Sequence, residues 1–78
     1  MHFKVITKPG CPYCDQAKAL IKMKGHTYEE DRRDTPAGLD AFVQEGFRTF
    51  PQIFVGEKLI GGFDQLKVYF AAMPDDDF

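Results

Sequence analysis

The sequence predicts an α/β fold: a four-stranded mixed sheet with three helices, in the order β-α-β-α-β-β-α. Short stretches with strand character alternate with stretches whose apolar residues recur at helical spacing. A strand, a helix and a second strand open the chain, a unit whose long crossover makes its two strands parallel. Two later strands are separated only by Gly56 and Glu57, the spacing of a tight antiparallel hairpin. Right-handed crossovers then favour one sheet with helices on both faces.

Each element has its own signal. His2 to Thr7 reads as a strand with Phe3, Val5 and Thr7 on one side and Ile6 opposite, ended by the breaker pair Pro9-Gly10. Tyr13 to Lys24 is made of good helix formers; Cys14, Ala17, Leu20 and Ile21 form one stripe, and Gly25 stands at the C′ position. His26 to Asp31 reads as a second, more polar strand. Asp34 or Thr35 caps a second helix with Pro36 at its first position, Leu39, Phe42 and Val43 on its buried face, and Gly46 beyond its end. Gln52 to Val55 and Lys58 to Ile60 are the hairpin strands. Gly61, Gly62 and Phe63 lead to Asp64, read as the N-cap of a third helix carrying Leu66, Tyr69, Phe70 and Met73 until Pro74 stops it.

Seventy-eight residues make about half a typical domain, so residues 1–78 are expected to form one domain without repeats. Hydrophobic residues make up 44% and Phe alone supplies eight, the composition of an ordered chain with a small core. The net charge is −2, but without Asp75, Asp76 and Asp77 nine acids face ten bases and the body carries +1. Those three acids read as a solvated, flexible tail. The bases are scattered rather than striped, which argues against a nucleic-acid partner. No apolar run approaches the roughly 18 residues of a membrane span, and no charged-then-apolar leader opens the chain. A soluble, cytoplasmic protein is therefore expected.

The chemistry is expected at Cys11 and Cys14. A bridge closing so short a loop removes little chain entropy, so stabilisation is a poor reason for the pair. Cys11 stands at a helix N-terminus, where free N–H groups and the helix dipole favour an anion. A thiol of pKa about 8.5 is only a few per cent ionised at neutral pH, and lowering it to about 5 raises the thiolate fraction roughly thirtyfold. Nucleophilicity falls in compensation, so the clearer gain is in leaving-group ability. Cys14, about one turn into the helix, is placed to resolve a mixed disulfide. A zinc half-site would need two more ligands, and only His2 and His26 are available, without metal-ligand spacing. A C-x-x-C at a strand-to-helix turn inside a βαβ unit points instead to a redox site.

Three separated motifs carry a resemblance. Cys11-Pro12-Tyr13-Cys14, Thr49-Phe50-Pro51-Gln52-Ile53-Phe54 and Gly61-Gly62-Phe63-Asp64 occur in the order found in dithiol glutaredoxins, and the likeness spans nearly the whole chain. The resemblance implies a thioredoxin-like fold and a glutathione-dependent thiol-disulfide oxidoreductase that reduces protein disulfides and glutathione mixed disulfides, with no metal. It implies a cis Pro51 facing the cysteines, and backbone at Thr49 and Phe50 that holds the cysteinyl part of glutathione. It places the γ-glutamyl carboxylate on the N–H groups of Phe63 and Asp64, after the flexible Gly62, and the glutathione amino group on the Asp64 side chain. Lys8 would stabilise the thiolate and meet the glycyl carboxylate, and Tyr13 would offer an aromatic wall or hydroxyl. Arg32, Arg33, Gln44 and Arg48 are weaker candidates for the glycyl end. The chain departs from many relatives at Phe50, where Val is common, and at Phe63, where a small residue or Cys is common. The implied partners are glutathione and disulfide-containing or glutathionylated proteins, ribonucleotide reductase among the frequent clients, acting on a monomer. Two rivals remain: a thioredoxin-like redoxin reduced by a flavoprotein reductase, with the same cysteine chemistry, and a carrier whose iron-sulfur cluster is ligated by Cys11 and glutathione.

Overall fold

The strand β1 (His2–Thr7) has both faces covered: Phe3, Val5 and Thr7 are buried on one side and Ile6 on the other. That is the pattern of a central strand. In the computed structural model, which describes residues 1–72, β1 pairs in parallel with β2 (Thr27–Arg32) and antiparallel with β3 (Gln52–Val55). An antiparallel hairpin adds β4 (Lys58–Gly61), so the sheet order is β2-β1-β3-β4. The helices are α1 (Pro12–Met23), α2 (Pro36–Gln44) and α3 (Phe63–Ala72), which completes the expected fold class and element order. The expected core position Met73, the stop at Pro74 and the acidic tail lie outside the described residues.

One face of the sheet carries the main core. Phe3 and Val5 of β1 and Ile53 of β3 pack there with Ala17 and Ile21 of α1 and with Leu66 and Phe70 of α3. The opposite face is reached by Phe54, whose side chain alternates with that of Ile53; its ring meets Phe47 edge-on at 6.0 Å, and Phe47 lies 5.2 Å from Phe42 of α2. Aromatic contacts thus tie α2 to that side.

Helix ends explain where the boundaries differ from the sequence reading. Gly25 has φ +83° and donates to the Lys22 carbonyl, while the next N–H, of His26, donates to the Ile21 carbonyl at 3.1 Å. This paired closure uses His26 to finish α1, so β2 starts at Thr27 and ends at Arg32 rather than running from His26 to Asp31. His26 then stacks on Phe70 with the rings 2° from parallel. The same closure ends α2: Gly46 at φ +95° donates to Val43 and Phe47 donates to Phe42. Thr35, not Asp34, is the α2 cap, its hydroxyl accepting from the Gly38 N–H at 3.0 Å.

The expected buried face of α2 is corrected. Phe42 is 2% exposed, but Leu39 and Val43 are 40% and 63% exposed. This nine-residue helix is held through the Phe42 ring, and Leu39, about one turn before it, and Val43, next to it, are left at the rim.

Candidate active site

Register brings three loops to one end of the sheet. Ile6 pairs with Gln52, which sets the Thr49-Phe50-Pro51 segment beside the exit of β1; Ile53 pairs with Gly61, which brings the start of α3 to the same end. The cysteines follow β1 there. Gly10, at φ +70°, turns the chain into Cys11, the N-cap of α1. Cys11 takes the extended conformation of a cap, Pro12 fills the first helical position, and the Cys11 sulfur accepts the Cys14 N–H at 3.2 Å. A sulfur in the place of a capping oxygen receives a donor that favours its anionic form. The two cysteine sulfurs are at disulfide distance, with Cα atoms 5.3 Å apart. Cys11 is 8% exposed and Cys14 1%, so Cys11 is the accessible member of the pair.

Beside them is an open cleft of about 240 Å³ lined by Tyr13, Thr49, Phe50, Pro51, Gly62, Phe63, Asp64 and Gln65. The Phe50-Pro51 bond is cis. Tyr13, Thr49, Phe50, Pro51, Gly62, Phe63 and Asp64, all expected to face a ligand, are in that lining, and Lys8 is not. Lys8 stands next to it, with its ammonium 5.4 Å from the centre of the Phe50 ring. Tyr13, which sits between the cysteines in the chain, forms one wall with Phe63 at a ring separation of 6.1 Å. A larger apolar cavity of about 360 Å³ between Ile60, Val68 and Tyr69 shares only Asp64 and Gln65 with this cleft and contains none of Tyr13, Thr49, Phe50 and Pro51.

A family model described as Glutaredoxin matches residues 3–60. The chain belongs to the glutaredoxin family. It is 40% identical over 65 residues to Glutaredoxin 3 of Escherichia coli (strain K12), a match covering 81% of this chain and 78% of that protein. It is 44% identical over 72 residues to the hybrid peroxiredoxin hyPrx5 of Haemophilus influenzae, where the match covers 86% of this chain but spans only 28% of that longer relative. The crystal structure of a buckwheat glutaredoxin-glutathione complex is similar at a TM-score of 0.76 and 31% identity, over 88% of this chain and 67% of that one. The fold of this glutaredoxin is thioredoxin-like. Its class is thiol-disulfide oxidoreductase, and Cys11 and Cys14 form a cysteine pair at disulfide distance.

Asp64 is not the cap of α3 in this glutaredoxin. The helix begins one residue earlier, at Phe63, and Asp64 lies in its first turn with its carboxylate 3.6 Å from Lys67. The Gly62 carbonyl accepts from Leu66, and the Gly62 N–H is taken by the Gln65 side chain at 2.9 Å. Gln65 therefore plays the reaching-back half of a capping box. Its signal was a Gln three residues after a glycine at a helix entry, which the assignment of the cap to Asp64 hid. Gln52 is a second residue not singled out: 8% exposed, it donates to the Thr49 carbonyl at 2.9 Å and the Thr49 hydroxyl at 3.2 Å, pinning the loop before Pro51.

The weaker candidates do not line the cleft. Arg32 pairs with Asp34, Arg33 with Asp31 and Glu45, and Gln44 donates to Asp40. The Asp31 pair holds that carboxyl below its ordinary pKa, mainly through the hydrogen bonds from Arg33.

Proposed function

We propose that this chain is a glutathione-dependent oxidoreductase that reduces glutathione mixed disulfides and protein disulfides. The observation that carries the reading is the single cleft in which Tyr13, the Thr49-Phe50-Pro51 segment and the α3 entry meet beside the cysteines. Each part suits a part of the tripeptide. A proline without an N–H leaves the preceding backbone free to pair with an extended ligand, which assigns the cysteinyl portion to Thr49 and Phe50 beside Pro51. A helix start with unpaired N–H groups suits a carboxylate, which assigns the γ-glutamyl end to Phe63 and Asp64, with Gly62 keeping the approach open. Lys8 supplies charge for the glycyl carboxylate and for the thiolate. The buckwheat relative, crystallised with glutathione, supports the assignment.

The chemistry follows from the exposure of the two sulfurs. The Cys11 thiolate attacks the glutathione sulfur of a mixed disulfide, forming a Cys11-glutathione bond and expelling the substrate thiolate. A second glutathione thiolate attacks that adduct, oxidised glutathione leaves, and Cys11 returns as thiolate. For a disulfide within a protein, Cys11 first forms a mixed disulfide with the substrate; Cys14 then attacks Cys11, closes the internal bond and releases the reduced substrate. Glutathione reopens the Cys11-Cys14 bond in two further exchanges. Proposed partners are glutathionylated and disulfide-containing proteins, ribonucleotide reductase among them, and the chain is proposed to work as a cytoplasmic monomer of one domain. No helix among the described residues is long and apolar enough to cross a membrane. The test is to treat reduced Cys14→Ser protein with oxidised glutathione and weigh the product. One glutathione on Cys11 supports the reading, and an unmodified protein contradicts it.

A further inference from the structure

We propose that Phe42, a buried residue that does not line the cleft, is a positioning residue for Lys8. Its ring stack with Phe50 fixes the Lys8 ammonium beside the cleft and so sets affinity for the terminal carboxylate of a glutathionyl group. The proposal rests on the glutathione reading above and adds a determinant to it.

Four groups follow one another in the order Lys8, Phe50, Phe42, Arg33. The Lys8 ammonium is 5.4 Å from the Phe50 centroid, within cation-π range. Phe50 and Phe42 are stacked with centroids 3.9 Å apart and planes 9° from parallel. The Arg33 guanidinium is 6.0 Å from the Phe42 centroid. Order increases along that series. Phe42 is 2% exposed, and Arg33 is anchored by two 3.0 Å hydrogen bonds to Asp31 and one of 3.1 Å to the Gly38 carbonyl. Phe50 is half-buried and Lys8 exposed. A lysine ammonium on a flexible four-carbon stem sweeps a wide volume unless a neighbour selects one position. Here the selecting surface is the Phe50 face, and the ring behind it is held by α2. Among the described residues no carboxylate lies within ion-pair distance of Lys8. Its charge therefore stays available to an anionic ligand, and the aromatic platform keeps it without neutralising it.

The test compares a peptide-glutathione mixed disulfide with the same substrate whose glycyl carboxylate is amidated. Phe42→Leu is expected to raise KM for the carboxylate substrate roughly two- to fivefold, the effect of one exposed cation-π contact. kcat should be unchanged, and KM for the amide should not move. Lys8→Met should abolish the preference for the carboxylate substrate, after which Phe42→Leu adds nothing. Equal KM changes on both substrates, or none on either, would overturn the proposal. Wild-type protein that does not turn over the mixed disulfide would overturn the glutathione reading itself, a distinct failure. One check needs no variant: the Lys8 ε-methylene protons should be shifted upfield by the Phe50 ring current, and random-coil shifts there would overturn the positioning role.

Discussion

Cys11 and Cys14 differ in exposure and in hydrogen bonding, and in the proposed function these differences divide their labour. Cys11 is reachable and its sulfur accepts an N–H from the first turn of α1, whereas Cys14 is almost fully enclosed. Cys11→Ser is therefore expected to reduce all disulfide exchange to background, since the one thiol left, Cys14, is almost fully enclosed. Cys14→Ser should retain reduction of glutathione mixed disulfides and lose reduction of intramolecular protein disulfides, measured side by side on one substrate of each kind. Loss of both activities would mean that Cys14 does more than resolve. The cysteines and the three cleft motifs were legible in the sequence because each is a contiguous run. The roles of Gln52, Gln65 and Phe42 were not: Gln52 on Thr49 and Gln65 on Gly62 act through side-chain rotamers that spacing alone does not fix, and Phe42 meets Phe50 across the fold.

Among the elements, α3 depends most on its entry. Gln65 closes the Gly62 N–H, and a Cβ on Gly61 would come within 2.9 Å of the Gln65 side chain at a backbone φ of +124°. Gln65→Ala is expected to lower stability by about 0.5–2 kcal/mol, the range of a lost helix cap. Gly61→Ala should cost about 1–3 kcal/mol from backbone strain alone, with the clash against Gln65 added. In the double variant the 2.9 Å contact with the Gln65 Cγ is gone while the 3.0 Å contact with its Cβ and the strain remain, so the combined loss in denaturant midpoints should be smaller than the two single losses together. Strict additivity would show that the side chains do not meet. Element order was readable from periodicity and breakers, but ends were not. His26 reads as strand by composition and is spent closing α1, and α3 starts before its only acidic cap candidate. Leu39 and Val43 have helical spacing with Phe42, yet a helix held by one ring leaves them at the surface.

Across the whole molecule, charge on the β2 side makes stability depend on acid. Glu30 is held below its ordinary pKa, first by the hydrogen bond from Thr7 and then by that from Lys18, and Asp31 is held down by Arg33. Both folded values lie below the unfolded ones, so the folded protein binds fewer protons. Their contribution is complete above the ordinary carboxylate range near pH 4 and is lost as pH falls through it toward the lower folded values. Thermal midpoints followed from about pH 7 to pH 3 should fall more steeply for the wild type than for Glu30→Gln/Asp31→Asn, and parallel curves would remove these two groups as the cause.

The cleft of the proposed glutathione site lies on the same side of the molecule as the cysteine pair. The most direct measurement is NADPH consumption on a small mixed disulfide with glutathione and glutathione reductase, repeated with thioredoxin reductase in place of the glutathione system. Turnover with the glutathione system, at a rate that Cys14→Ser retains and Cys11→Ser abolishes, is the predicted result. Turnover only with the flavoprotein reductase would keep the cysteine chemistry and contradict the glutathione site.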